Sequence, residues 1–461
     1  MIRVFRHYIS TAFLSLSLLE TAIFASALQI GNLLRFKETT DIVQVSFFLP
    51  SAIFAVIMLI CMTGMGLYQR SQGWKTAAIV LRLGGAFLLG TLGMALVFYA
   101  LPDLLVGRGI LGFALLYAFA GVAILRALFY RFADEEQLKR RVLIYGVGKK
   151  AQKLIDLQTN GEHKHLDIIG CINMDNETQV VTNDYVLKLT IPLIEYVTQH
   201  DIDEIVIAPD DRRGGLPVDD LLDCKISGYD VIDELTFYER ESGIIKIDGL
   251  YPSWLVFSDG FKAGNIKDLT KRSFDVFSSL LILSFTWPFM LVAAFFIFAE
   301  NGFKGPIFYT QTRVGEHWRL FKVIKLRSMK VDAEKNGAQW AQKNDARITP
   351  VGRFIRKTRI DELPQILNVL KGDMSFVGPR PERPEFVDNF AESIPYYSER
   401  HRVKPGITGW AQLCYPYGAS ENDAARKLEY DLYYVKNYSL FLDMLILLQT
   451  TEVILWGKGA Q

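Results

Sequence analysis

Four long apolar stretches follow one another in the first third of the chain, at about Ile9–Ile30, Val45–Tyr68, Thr76–Ala100 and Gly109–Tyr130. Each reaches the roughly 20 residues that carry a helix across the hydrocarbon of a bilayer. Soluble folds rarely set four such runs in succession, so buried soluble helices are the weaker reading. Arg82 and Arg126 fall near segment ends, where long side chains can snorkel to the interface. Basic residues collect on alternate sides: Arg3, Arg6, Arg70, Lys75, Arg131, Lys139, Arg140 and Arg141 against Arg35, Lys37 and Arg108. By the positive-inside bias the N-terminus and everything after Tyr130 face the cytoplasm.

Half of the 461 residues are hydrophobic, yet 22% are charged, so soluble parts must accompany the spans. A length prior suggests about three units. The net charge of +1 implies no bulk attraction to nucleic acid. Cys61, Cys171, Cys224 and Cys414 lie far apart with no Cys-x-x-Cys pair, which argues against disulfides or zinc and for a reducing compartment. The first apolar run is too long for a removable signal peptide.

From Arg141 the pattern changes to short apolar runs between polar turns. Val142–Tyr145, Leu166–Ile172 and Ile202–Ala208 read as strands, and Ile191–His200 as a helix. The alternation predicts a small doubly wound α/β domain ending near Asp248. Gly146-x-Gly148 with Ala151 approaches a Rossmann fingerprint, but no clear ribose-binding acid ends the next strand, Asp175 being the one candidate. A structural or regulatory module is favoured over a nucleotide-binding one. His163-Lys-His165 lies in a polar loop and reads as solvated.

A fifth apolar stretch, Phe274–Phe298, is interrupted by Pro288, with Lys271 and Arg272 before it and Lys304 after. Proline removes a backbone donor and disfavours helix at the residue before it. Basic residues at both ends suit a helix that enters the membrane, breaks at Trp287-Pro288 and returns to the same face.

Beyond it lies a dense basic array: Lys322, Lys325, Arg327, Arg347, Arg353, Arg356, Arg359 and Arg380. Within it stands Asp361-Glu362-Leu-Pro364-Gln365, where Pro364 suits a first helical turn and sets both acids at a helix N-terminus. An isolated Asp-Glu-x-Pro would be read as a cap complementing the dipole. Arginines around the pair change that, since they would keep the carboxylate ionised where phosphates gather. An ionised Asp can attack phosphorus, and a neighbouring Glu offers Mg²⁺ a hard oxygen. Gly378-Pro-Arg380-Pro forms a rigid turn that aims an Arg fork.

Seven motifs occur in order: Lys271-Arg272-x-Phe274-Asp275; the Pro-interrupted helix; Gly305-Pro306-Ile-Phe308-Tyr-x-Gln311-x-Arg313-x-Gly315; Lys325-Leu-Arg327-Ser-Met329; Asp361–Gln365; Val377–Pro381; and Lys404–Gln412. Over about Asp268 to Trp456 the chain resembles the monotopic phosphoglycosyl transferases, the bacterial sugar transferases that make polyprenyl-diphosphate sugars. It resembles their large form, with four spans and a Rossmann-like domain. Tyr415-Pro-Tyr417-Gly418 is similar to the exopolysaccharide branch, whereas Thr286-Trp287-Pro288 departs from the family's Ser-Pro.

The resemblance implies Asp361 as nucleophile on the β-phosphate of a UDP-sugar, releasing UMP, and Glu362 as the Mg²⁺ ligand. Lys325, Arg327, Arg356 and Arg380 would handle phosphate, Asp431 matches another acidic position, and polyprenyl (undecaprenyl) phosphate would take the sugar phosphate. A fifth crossing would strand the active site away from any activated donor, which favours the re-entrant helix.

The expected fold is a membrane protein of the inner (cytoplasmic) membrane. Residues 1–135 form a four-helix transmembrane bundle, 136–250 a Rossmann-like α/β domain and 251–267 a linker. Residues 268–461 form a mostly α catalytic domain with a re-entrant membrane helix at 274–298. The run Leu440–Trp456, carrying Asp443, Gln449 and Glu452, should be interfacial or packed. A membrane-anchored dehydratase would need a Tyr-x-x-x-Lys pair, and Tyr145/Lys149 sits inside the glycine loop; a non-enzymatic scaffold would be expected to lack the acid pair or Arg380. Glucose, galactose or another sugar as donor, a nucleotide in the α/β module and a homodimer are left open.

Overall fold

The N-terminal apolar runs fold into helices α1 (Thr11–Arg35), α2 (Phe48–Gly64), α3 (Thr76–Ala100) and α4 (Arg108–Phe132), preceded by two short paired strands, β1 (Ile2–Val4) and β2 (His7–Ile9). The computed structural model describes residues 2–4, 7–9, 11–36, 48–68, 76–132, 139–159, 165–174, 177–211, 216–261, 264–331, 333, 345–416, 418 and 420–455. Lys37, Arg70, Lys75, His163, Asp175, Tyr417 and Trp456 lie outside them. α1, α3 and α4 are long and apolar enough to cross a bilayer. α2, at 17 residues, is about 26 Å long and at the short end of what can span.

The chain divides into two compact units, the first built from residues 9–62 and 67–242 with Met1, the second from 2–8, 63–66 and 243–461. In the first unit α1 packs on α4 through small residues: Ala27, Ala114 and Ala118 are fully buried. Leu18, Leu81, Leu88, Leu96 and Leu116 point outward, as a lipid-facing surface requires. The snorkelling expected of Arg126 is not found. It is buried and paired with Glu20 of α1 (Nε–Oε1 2.6 Å, Nη2–Oε2 3.1 Å), and donates to the Leu67 carbonyl at 3.0 Å. Arg82 is buried as well. A charge at that depth needs a partner, and Glu20 supplies it.

The same unit holds the α/β fold. Strands β3 (Arg140–Tyr145), β4 (Leu166–Ile172), β5 (Val186–Leu187), β6 (Glu204–Ile207) and β7 (Asp230–Asp233) form one parallel sheet in the order β5-β4-β3-β6-β7. Helices α5 (Lys149–Thr159), α6 (Leu193–Gln199), α7 (Val218–Ile226) and α8 (Glu234–Ser242) alternate with them. Leu143, Ile172, Val197, Ile205 and Leu221 fill the core between strands and helices. All four cysteines are free thiols.

The segment 251–267, expected as a linker, belongs to the second unit and carries secondary structure. It contains α9 (Pro252–Phe257), and Trp254 is buried with the Lys436 ammonium 4.0 Å over its ring. The fifth apolar run becomes α10 (Asn265–Glu300), a single 36-residue helix that continues through Pro288, so the expected break is not an interruption of helix. Pro288 denies the Ser284 carbonyl its helical donor. Ser284 and Thr286 beside it turn their hydroxyls back to the carbonyls of Leu281 (2.7 Å) and Ile282 (2.8 Å).

A hairpin of β8 (Phe308–Val314) and β9 (Leu320–Leu326) follows, then α11 (Pro350–Lys357), α12 (Gln365–Lys371), β10 (Ser375–Val377), α13 (Pro384–Ser393), β11 (Gly406–Thr408) and α14 (Trp410–Cys414). The unit closes with α15 (Glu421–Asn437) and α16 (Leu440–Leu455). α16 is packed as expected, with Leu442, Asp443 and Ile446 buried.

Candidate active site

The basic motif that opens α10 grips the rest of the unit. Arg272 donates to the carbonyls of Val369 and Leu370, both at 2.5 Å, closing the C-terminus of α12. Lys271 reaches Asp443 (2.5 Å), the Tyr434 hydroxyl (3.1 Å) and the Val377 carbonyl (3.2 Å). Asp275 accepts from Ser375 Oγ (3.0 Å) and Phe376 N (3.2 Å). Asn368 then fastens α12 to β9, donating to the Lys322 carbonyl at 2.8 Å and accepting from Ile324 N at 3.0 Å.

On this frame the acid pair is carried by a strained connection. α11 is capped by Thr349, and Arg359 after it adopts a left-handed conformation (φ 59°), costly for a residue with a Cβ. Ile360–Glu362 form one 3-10 turn, and Pro364 sits at the N-cap of α12, one place earlier than the sequence suggested. No side chain caps α12, so the bland reading of Asp361 and Glu362 as caps does not describe them.

The two carboxylates are used differently. Glu362 is ringed by cations: Lys325 Nζ at 2.9 Å, Arg359 Nη1 at 3.7 Å and Arg380 Nη2 at 3.8 Å. Burial raises its pKa, but Lys325, Arg380 and Arg359 prevail and hold it down at about 2. Asp361 is buried at 8% exposure and has no hydrogen-bond or ion-pair partner among the described residues. Its pKa goes up to about 6, first by burial and then by the Glu362 charge, with Lys325, Arg356 and Arg359 opposing. The expected stabilisation of ionised Asp361 by arginines is thus reversed, because the cations contact its neighbour.

Arg380 projects from a loop with no spare room. A Cβ at Gly378 would lie 2.2 Å from the Lys404 carbonyl, and one at Gly409 would lie 2.3 Å from the Gly378 carbonyl. The Val377–Pro381 and Lys404–Gln412 motifs therefore interlock, with β10 and β11 paired in parallel. Arg313 donates to the Pro381 carbonyl at 3.1 Å, and Arg400 donates to that of Arg380 at 3.0 Å.

Of the residues singled out by sequence, Lys325 and Arg380 join Glu362, and Arg356 acts on Asp361 through its charge. Arg327 does not join them; it is buried beside Asn301 and Gly305 at the end of α10, near Glu300. Asp431 is 2% exposed and pairs with Arg400 at 2.8 Å, behind the Arg380 loop that Arg400 also holds. Burial lifts the Asp431 pKa to about 6 against the pull of Arg400. Arg359 was named in the basic array but given no role of its own, and Arg400 was not singled out, since nothing near it in sequence marks it. Tyr145 ends β3 and Lys149 opens α5, so they flank the glycine loop and form no catalytic dyad.

Residues 266–457 match the family described as bacterial sugar transferase, and residues 63–209 match one described as a CoA-binding domain. The UDP-N-acetylgalactosamine-undecaprenyl-phosphate N-acetylgalactosaminephosphotransferase of Aeromonas hydrophila is 44% identical over 52% of this chain and 55% of its own length. The chain thus spans about half of that relative. The UDP-glucose:undecaprenyl-phosphate glucose-1-phosphate transferase of Xanthomonas campestris pv. campestris is 29% identical over 87% of this chain and 85% of its own. The exopolysaccharide production protein PSS of Rhizobium leguminosarum bv. phaseoli is 41% identical over 41% of this chain and 97% of its own length.

Proposed function

The chain belongs to the bacterial sugar transferase family, and from that premise we propose that it moves a sugar 1-phosphate from a UDP-sugar to polyprenyl (undecaprenyl) phosphate, releasing UMP, to begin an exopolysaccharide. The observation that carries the reading is the division of labour in the acid pair: Glu362 is held by three cations, while Asp361 is buried with no bonded partner among the described residues. An Asp361 oxygen attacks the β-phosphorus, the bond to the bridging oxygen breaks, and UMP departs with that oxygen. The sugar phosphate remains on Asp361 as an acyl phosphate. A phosphate oxygen of the polyprenyl phosphate then attacks the same phosphorus, frees Asp361 and gives the diphosphate-linked sugar.

Arg380, Arg359 and Lys325 gather on Glu362 beside Asp361, and there they would offset the charge developing on the transferring phosphoryl group. Asp361 and Glu362 supply hard oxygens, and no cluster of three or more His, Cys, Asp or Glu forms a metal site among the described residues. Glu362 would hold Mg²⁺ through a carboxylate oxygen, the hard donor this ion takes. Bound there, Mg²⁺ would neutralise diphosphate charge.

The acceptor is a lipid, and α10 would bring the site to it as a re-entrant helix from the cytoplasmic face of the inner membrane. On a straight helix Arg272 and Ile297 would lie about 37 Å apart. Yet Arg272 holds α12, which Asn368 ties to β9, while Ile297 packs against Leu326 of that same strand. Both arms returning to one hairpin support a bend near Pro288. Its outward side chains, Phe277, Leu281, Phe285, Trp287, Phe289 and Phe296, suit lipid. Single cysteines at Ile266→Cys and Lys304→Cys are expected to resist an impermeant maleimide applied outside intact cells. Labelling of Lys304→Cys from outside would make α10 a spanning helix.

The relatives differ in sugar, so donor identity is read directly. UMP release with undecaprenyl phosphate and Mg²⁺ is expected for one of UDP-glucose, UDP-galactose or UDP-N-acetylgalactosamine. No UMP from any donor by folded protein would refute the transferase reading.

A further inference from the structure

In doubly wound folds a dinucleotide or CoA diphosphate rests on the amides of the first glycine loop and of the helix behind it. Here that cradle is Gly146–Gly148 and the start of α5, inside the stretch matched as a CoA-binding domain. Its amides are already engaged. Val147 N donates to Glu177 Oε2 at 2.8 Å, Lys149 N to Asp210 Oδ2 at 2.9 Å and Lys150 N to Asp210 Oδ1 at 3.0 Å. The Asp210 amide donates in turn to Glu177 Oε1 at 2.8 Å, so the two acids are tied together.

Gly148 makes the point sterically. The second glycine of such loops lets a diphosphate approach the backbone. A Cβ built on Gly148 would lie 2.5 Å from the Asp210 carboxylate and 2.6 Å from Glu177 Oε1, so the approach is occupied by carboxylates. Of the lysines that open α5, Lys150 is engaged, its Nζ lying 3.4 Å from Glu234 Oε2. An incoming diphosphate would have to expel both acids or meet their negative charge at contact distance.

We propose that this module is a self-capped Rossmann-like fold, in which Glu177 and Asp210 take the place of the ligand diphosphate and no CoA or dinucleotide binds at the glycine loop. Glu177 follows β4 and Asp210 follows β6, on either side of the central β3. Their bonds brace the loops at the carboxyl ends of the strands, where open α/β sheets otherwise take ligands. The residues thus do not fit the group that the family description implies, and the module serves as a rigid body.

Hydrogen–deuterium exchange on the detergent-solubilised full chain tests this, because it reads the loop separately from the transferase site. The amides of residues 147, 149 and 150 are expected to exchange at least about 100-fold slower than an unstructured reference without any ligand. Millimolar CoA or NAD⁺ should leave them unchanged. Asp210→Ala should speed 149 and 150 at least tenfold. Protection of these amides by CoA or NAD⁺ in the wild type, or fast exchange without ligand, would overturn the proposal.

Discussion

Asp361→Asn leaves the chain folded and lowers sugar-phosphate transfer by at least about 10³-fold, because the amide has no anionic oxygen to attack phosphorus. Folding should survive, since the carboxylate has no bonded partner to lose among the described residues. The substitution should also relieve burial of a charge, so the thermal midpoint should hold or rise. The same group sets a pH limb. The attacking form is the ionised one, and a pKa of about 6 means it predominates above pH 6 and is lost below. For the metal-free, substrate-free enzyme the fraction ready to attack falls about tenfold per pH unit below that value. Mg²⁺ should move the limb to lower pH. UMP release against pH, with and without the substitution, measures both effects.

Asp431→Ala should lower stability by about 3–5 kcal/mol, the cost of stranding a buried charge. Arg400 is buried, and its remaining bonds are to the Tyr397 hydroxyl (2.7 Å) and the Arg380 carbonyl (3.0 Å). Without its carboxylate partner the guanidinium will pull toward water, and the Arg380 loop will follow. We expect a thermal midpoint roughly 10 °C lower in scanning fluorimetry, with loss of kcat/KM at temperatures where the variant is still folded. An unchanged midpoint would show that the pair is replaceable; an unchanged kcat/KM would show that Arg400 does not position Arg380.

The ordered motifs made the second unit legible because each does a local job visible in residue types. Arg272 closes a helix end, Gly378 and Gly409 permit close backbone crossings, and the acid pair lies beside its cations. The parallel sheet was legible from short apolar runs with tight boundaries, Leu166–Ile172 matching the observed strand. What stayed hidden depends on partners far apart in sequence. Glu20 and Arg126 meet across the bundle, Arg400 and Asp431 across two helices, and Glu177 and Asp210 converge on the glycine loop. Pro288 marks a position inside a continuous helix, because a proline removes one bond of the ladder and the neighbouring bonds can carry the helix past it.

Covalent transfer through Asp361 is read by mixing the detergent-solubilised chain with a UDP-sugar and Mg²⁺ in the absence of polyprenyl phosphate, followed by intact-protein and peptide mass spectrometry. The mechanism predicts a burst of UMP close to one per active site and a mass gain of one sugar phosphate on the peptide carrying Asp361. UMP formed only when polyprenyl phosphate is present, with no adduct at any time, would contradict it and assign the reaction to direct transfer between donor and lipid.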